Sequence, residues 1–493
     1  MKSRSLASFA LVALFSAPAL AQETPRPPIA PPEHKNAMEE RTKRLRDFSG
    51  TFTADTAAAR ARATSLDVVA KQEAVRAASA RVDQAVVGFF PRLSGVARYA
   101  HLSALPAPTG PSLNLVTPLV PQGAGPIPPG TPLAAIPLSF PVVLDTWLFQ
   151  GTVTVPVSDY VLRTSQSYGA AARNADAARF DRVAAEAKAQ ADARLVFYQW
   201  VKASGQKEVL EQALVAAEEH KKDAENLFKA GMTSKADVMT SDANLASGKL
   251  AVDQADELVR VAEDQLRTLT HMQEGEKIAL GEDVTQALPQ ASHDLAALRQ
   301  EALANRPELA SLVAAEQSLE KNAAVARAGE YPRLDAFGDY IYANPNTRVF
   351  PQEAKFHGTW DVGLQLTWTA NDAFTSAGAG AEIEASAAKL RAQRAQLRDA
   401  VLSEVTQSVL AARTADTAVE TGVLGLAAAE EAYRVRRELY RVGKATSVEL
   451  TDAESNLFRA RLVVVSARID QRIARVRIDH AAGRDAQPPA RGR

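Results

Sequence analysis

With 493 residues, a formal net charge of −1, 46% hydrophobic and 23% charged residues, the chain has the composition of a folded protein and lacks the basic excess of a nucleic-acid binder. It contains no cysteine, which excludes a disulfide framework and a lipidated cysteine behind a leader. No later run of about 18 apolar residues occurs, so no helix is expected to span a bilayer.

Residues 1–21 read as a signal peptide. Lys2 and Arg4 supply the positive start, Leu6 to Phe15 an apolar core too short to span, and Ala19-Leu20-Ala21 a cleavage pattern. Its removal takes the formal charge to −3. Residues 22–46 are Pro-rich and charged and read as a flexible arm. An exported chain of this kind is periplasmic or an outer-membrane β-barrel.

The mature chain reads as mostly α with a small β part. Helical signal runs from Thr53 to Arg62, breaks, resumes from Leu66 to Phe90 and stops at Pro91. A strand is expected at about 93–102. Residues 103–145 are rich in Pro and Gly, carry no charge before Asp145, and read as a loop too proline-dense for a helix or an internal strand. A second strand at about 147–157 places Trp147, Phe149, Val153, Val155 and Val157 on one face and Gln150, Thr152 and Thr154 on the other. A helix from about Leu162 to Lys229 follows, on the order of 100 Å long. Gly231 turns the chain into a partner helix ending near His271. A connecting segment covers 272–298.

The second half replays the first, with a first repeat at 47–271 and a second at 299–482. Asn305-Arg306-Pro307-Glu308-Leu309 opens a helix, Pro332 stops it, and strands are expected at about 333–343 and 360–368. In the latter Trp360, Val362, Leu364, Leu366 and Trp368 alternate with Asp361, Gly363, Gln365 and Thr367. A long helix from about Thr375 to Arg441, a turn at Gly443 and a partner helix to about Ala481 complete the repeat. Residues 483–493 read as a flexible tail. Shifting by 212 positions brings Phe228, Gly231, Ser234, Asp237, Val238, Asn244 and Leu245 onto Tyr440, Gly443, Thr446, Glu449, Leu450, Asn456 and Leu457. A repeat of that length is an internal duplication.

The strand 360–368 has about the nine residues that a tilted strand needs to cross a bilayer, with a tryptophan at each end where membrane strands keep aromatic girdles. A half-buried strand of a soluble sheet is the alternative. Four strands cannot close a barrel and open edges are not tolerated in lipid, so membrane insertion forces several copies to share one barrel. The Ala-rich helices allow close packing along narrow seams, either as a coiled-coil rod or as the wall of a tube.

Taken in order, the signal peptide, the Asn305 to Leu309 helix start, the Pro-Arg-Leu junctions at Pro91 and Pro332, and the duplicated hairpins at Gly231 and Gly443 make the chain resemble a TolC-family outer-membrane efflux protein over about Arg46 to Ala482. The resemblance implies a homotrimer in the outer membrane extending into the periplasm. It implies four strands per chain in a shared twelve-stranded barrel above a long α-helical tunnel. It implies an exit duct that docks with a periplasmic adaptor and an inner-membrane pump, for small toxic molecules or for type I protein secretion. Trp147, Trp360 and Trp368 then belong to the lipid-facing girdle. The hairpin tips become the periplasmic gate, with Asp237, Tyr440, Glu449 and Asp452 as its residues. The expected arginine position holds Ala445, with Lys444 or Arg441 as substitutes. Glu449 and Asp452 are three apart on one helix face, and threefold symmetry makes each a ring of carboxylates, a cation-selective device. Ordinary first-turn acids facing a helix dipole are the alternative.

No catalytic constellation, metal-ligand spacing or cofactor motif is found. The histidines, His34, His101, His220, His271, His293, His357 and His480, are scattered and read as solvated or packed. The competing readings are a periplasmic coiled-coil adaptor and a helical rod without a channel.

Overall fold

The computed structural model describes residues 51–104, 114–118, 128–137, 143–273, 293–350 and 352–486, with residue 126 and parts of 275–288. The signal peptide at 1–21, the arm at 22–46 and the tail from 487 lie outside the described residues.

Helix α1 (Ala54–Thr64) starts on a capping box in which the Thr53 hydroxyl accepts from the Thr56 N–H at 3.2 Å. Ser65 turns extended and α2 (Leu66–Val87) follows. The chain enters β1 (Arg92–His101), a separate hairpin of β2 (Asn114–Pro118) and β3 (Leu133–Pro137), and then β4 (Asp145–Val155). Short turns at 157–164 lead into α3 (Ser165–Lys229), and α4 (Lys235–Thr270) returns beside it. The second half gives α5 (Leu295–Asn305), α6 (Pro307–Arg327), β5 (Arg333–Asn344), β6 (His357–Thr367), α7 (Ala370–Arg441) and α8 (Ser447–Ala481).

Each long helix serves as the spine of its repeat. Along α3, Arg182 meets Gln72 of α2, Glu186 meets Arg62 of α1, and Lys207 and Lys221 meet Asp256 and Asp242 of α4. Along α7, Arg391 meets Glu316 of α6, Glu404 meets Arg306, Thr406 meets Arg299 of α5, and Asp416 meets Gln471 of α8. The shorter helices therefore stack end to end beside a long one, as their lengths require.

Because the seams are built from alanine, the core is thin. It thickens midway, where Ala57, Ala61, Ala193, Phe197, Leu266 and Ile469 pack among α1, α3, α4 and α8, and where Leu298, Val401, Val405, Val409 and Ile478 pack among α5, α7 and α8. Small residues set the approach: a Cβ on Gly205 of α3 would stand 2.8 Å from the Val465 Cγ1 of α8.

The main sheet has the order β1-β4-β5-β6, every neighbour antiparallel. Its register gathers most of the large apolar side chains on one face, while Val96, Leu148, Phe337 and Ile341 fall on the other. Leu93, Ala97, Tyr99, Trp147, Phe149, Val153, Tyr340, Tyr342, Trp360, Val362, Leu364 and Leu366 share one face, and Ser94, Arg98, Gln150, Thr152, Asp339, Asp361 and Gln365 the other.

Several boundaries differ from the sequence reading. Strand β4 ends at Val155 because Pro156 has no N–H to give the ladder, and β6 begins at His357 because Ala343 pairs with it. Residues 103–145 are not without regular structure: β2 and β3 pair, with Pro118 and Pro137 at strand ends where a missing donor costs no ladder bond. Helix α5 lies partly inside the segment read as a connector, started by Asp294, whose side chain accepts from the Ala296 N–H at 2.9 Å. The tail read as flexible from 483 keeps its first residues engaged, with Arg484 on Glu301 at 2.8 and 2.9 Å.

Candidate functional site: hairpin tips and a two-faced sheet

Both hairpin turns close in the same way. Gly231 (φ +73°) and Gly443 (φ +69°) occupy the left-handed region. Met232 N–H donates to the Leu227 carbonyl at 2.9 Å and Lys444 N–H to that of Leu439 at 2.8 Å, the bond that seals a helix C-terminus. The return helices start on capping boxes. Ser234 and Asp237 exchange bonds, the Ser234 N–H donating to the Asp237 carboxylate at 3.0 Å, and Thr446 and Glu449 repeat this at 2.9 Å.

The four residues expected at the gate separate into three kinds. Asp237 is held by its own turn, accepting from the Thr233 hydroxyl at 2.6 Å and from the Ser234 hydroxyl at 2.7 Å, which with the Ser234 N–H keep its carboxyl below the ordinary 3.8. Glu449 likewise serves its cap and takes a bond from Arg436 at 3.2 Å. The Thr446 N–H foremost, then the Arg436 charge, hold its carboxyl below 4.5. Asp452 is exposed and makes no hydrogen bond or ion pair among the described residues. Tyr440 is 4% exposed, and its buried hydroxyl finds no partner of hydrogen-bond geometry. Burial raises its phenol above the ordinary 10.0, with the neighbouring Ser447 hydroxyl opposing. Ala445 is half-buried, Lys444 exposed, and Arg441 pairs, among the described residues, only with Glu438 of its own helix at 3.8 Å.

The structure adds a residue that spacing did not single out. His220, near the end of α3, is buried, with Nδ1 3.2 Å from a Glu454 carboxylate oxygen and Nε2 3.4 Å from the Ser447 hydroxyl, both on α8. Tyr440 packs edge-on against its ring at 5.5 Å. No local pattern announces it, since its partners stand more than two hundred residues away along the chain.

At the other end, the sheet is inverted relative to one that faces water. Along β4 and most of β6 exposure alternates: Trp147, Phe149, Val153, Trp360, Val362 and Leu364 are exposed, the last three each above 70%, while Gln150, Thr152, Thr359 and Asp361 between them are half-buried; Gln365 and Thr367 at the end of β6 are exposed as well. Aromatics concentrate at its outer end, where Tyr99 and Trp147 rings lie 4.5 Å apart and Tyr342 stacks on Phe356 at 5.0 Å. Trp360 lies on the same face opposite Tyr340, and Trp368 follows the strand, its indole N–H on the Glu330 carbonyl at 3.3 Å. The polar face is internally bonded: Asp339 accepts from Gln150 at 3.0 Å and from Thr152, and Arg348 pairs with Asp361 at 2.7 Å. Among the described residues, strands β1 and β6 form the two edges, each paired on one side only.

Residues 298–484 match the model of the outer membrane efflux protein family. No curated protein matches the sequence. The fold matches that of the outer-membrane channel OprN with a TM-score of 0.69 at 18% identity, over 90% of this chain and 91% of that one. The CmeC outer membrane channel of Campylobacter jejuni matches with a TM-score of 0.68 at 14% identity, over 89% and 87%. The outer membrane protein VceC of Vibrio cholerae matches with a TM-score of 0.69 at 14% identity, over 87% and 96%.

Proposed function

We propose that this chain is an outer membrane efflux protein, three copies of which assemble into one exit duct for an adaptor and an inner-membrane pump; the family model matched by residues 298–484 and the fold shared with outer-membrane channels over nine-tenths of the chain support the reading. The observation that carries the reading is the inverted sheet. An exposed apolar face with a bonded polar face behind it suits lipid outside and water inside.

Closure follows from strand direction. Because neighbours alternate, edge strands β1 and β6 run in opposite senses, so β6 of one copy can pair antiparallel with β1 of the next. Head-to-tail pairing of this kind makes a ring when the rotation closes. Two copies would give eight strands, whose interior side chains fill the space, whereas three give twelve and leave a lumen. The helices extend that lumen by about 100 Å, the length of α3 or α7 at helical rise. The hairpin tips at its far end are the surface offered to the adaptor, and efflux of small toxic molecules or export of a protein are the two cargo classes this duct serves.

Heat-resistant trimers in the outer-membrane fraction, conducting single channels in planar bilayers, are the expected result. A monomer that stays in the soluble fraction would overturn the proposal.

A further inference from the structure

Within the channel reading, on which this rests, we propose that His220 latches the periplasmic end shut by tying the first hairpin to the second through Glu454 and Ser447.

Closing the tips requires bonds that cross from one hairpin to the other. Asp237 bonds only within the first hairpin and Glu449 only within the second, while the Tyr440 hydroxyl is unpartnered. Two polar links do cross near the tips: His220 to Glu454 and Ser447, and Glu219 to Arg437 at 3.0 Å. They differ in burial. The His220 and Glu454 side chains are 4% and 12% exposed, those of Arg437 and Glu219 36% and 54%. An exposed pair contributes little, whereas a buried one leaves its partner unsatisfied when it is cut.

Both ring nitrogens of His220 are engaged, and in a way that holds for either charge state. The neutral ring donates from Nδ1 to the carboxylate and accepts at Nε2 from the Ser447 hydroxyl. The protonated ring donates from both, and the hydroxyl accepts. The edge-on contact with Tyr440 fixes the ring plane, which gives that tyrosine a packing role. Swinging α8 away from α3 breaks both bonds and admits water to the freed groups, so the link is reversible.

The test is single-channel conductance of the full-length protein in planar bilayers, with heat-resistant trimer on gels as the folding control. His220→Ala should raise conductance several-fold, and Glu454→Gln should raise it less, because the amide still accepts a bond. The double variant should exceed neither by much, since the two act on one contact. His220→Gln, which keeps a donor and an acceptor, should stay near the unaltered protein, as should Tyr440→Phe. If His220→Ala fails to assemble, Glu454→Gln decides by the same criterion. Channels of unaltered conductance in the latch variants would overturn the latch and leave the channel reading standing. Equal opening by Tyr440→Phe would also overturn it. No channels from the unaltered protein would overturn both readings.

Discussion

Trp360 of β6 stands directly opposite Tyr340 of β5 on the exposed apolar face. Eight residues on, Trp368 follows the last residue of the same strand, about 27 Å along the chain at the rise of an antiparallel strand. Tilted by about 35–45° as barrel strands are, that span projects to about 19–22 Å, so on the channel reading the two indoles stand near the two edges of an apolar band about 25 Å tall.

The first prediction concerns that band. Leu364→Arg places a charge near its middle and should cost about 2–4 kcal/mol per copy. Gln365→Arg, one position along and on the polar face, should be tolerated. Yield of heat-resistant trimer in the outer-membrane fraction should therefore fall sharply for the first and little for the second. Equal yields would mean that the apolar face does not meet lipid.

Two acids at the second tip should separate functionally. Asp452→Asn removes an unpaired exposed carboxylate and should weaken cation preference in bilayers without changing stability. Glu449→Gln should lower stability, because that carboxylate accepts the Thr446 N–H. The sign with pH follows from its depressed folded-state pKa. The contribution is present above the ordinary 4.5 and is lost as pH falls through the lower folded value. Melting curves of the unaltered and Glu449→Gln proteins should therefore differ at pH 7 and converge in strong acid. Unchanged selectivity in Asp452→Asn would remove that ring from the account of ion preference.

Gly443→Ala should destabilise the second tip by about 1–2 kcal/mol, the cost of a Cβ in the left-handed region. Space is not the issue, since the new carbon would meet only the Met232 Cε at 3.5 Å. Gly443→Asn should recover part of the loss, because asparagine tolerates that region better. Protease nicking at the tip reads the effect.

Helix contact supplies a further test. Gly205→Ala drives a methyl into the Val465 side chain and should destabilise the trimer, and Val465→Ala should rescue it. Additive losses in the double variant would show that the two helices do not meet there.

What the sequence showed and what it hid divide by range. The alternation from Trp360 to Leu366 reads directly because a strand repeats every two residues and one face is entirely apolar. The turns at Gly231 and Gly443 read from glycine followed by a hydroxyl and an acid, all within a few positions. Helix α5 does not read from the sequence, although Asp294 before Leu295 is a cap signal, because Gly281 and Pro289 ahead of it carry the composition of a loop. The pairing of β2 with β3 was hidden by prolines that stand at strand ends, where they do no harm. At the hairpin tips, local chemistry singles out Asp237 and Glu449, and both carboxylates bond within their own caps. His220 was passed over, because its bond to Glu454 spans 234 positions and no spacing encodes it.

The central claim, that copies close one barrel by joining β6 to β1, is tested most directly by cross-linking, and the absence of native cysteine makes the test clean. Ala97→Cys in edge strand β1 is combined with single cysteines scanned along β6, and the outer-membrane fraction is run without reductant. The account predicts a register at which a covalent trimer forms and no larger species. A continuing ladder beyond three chains, or no interchain disulfide at any register, would contradict it.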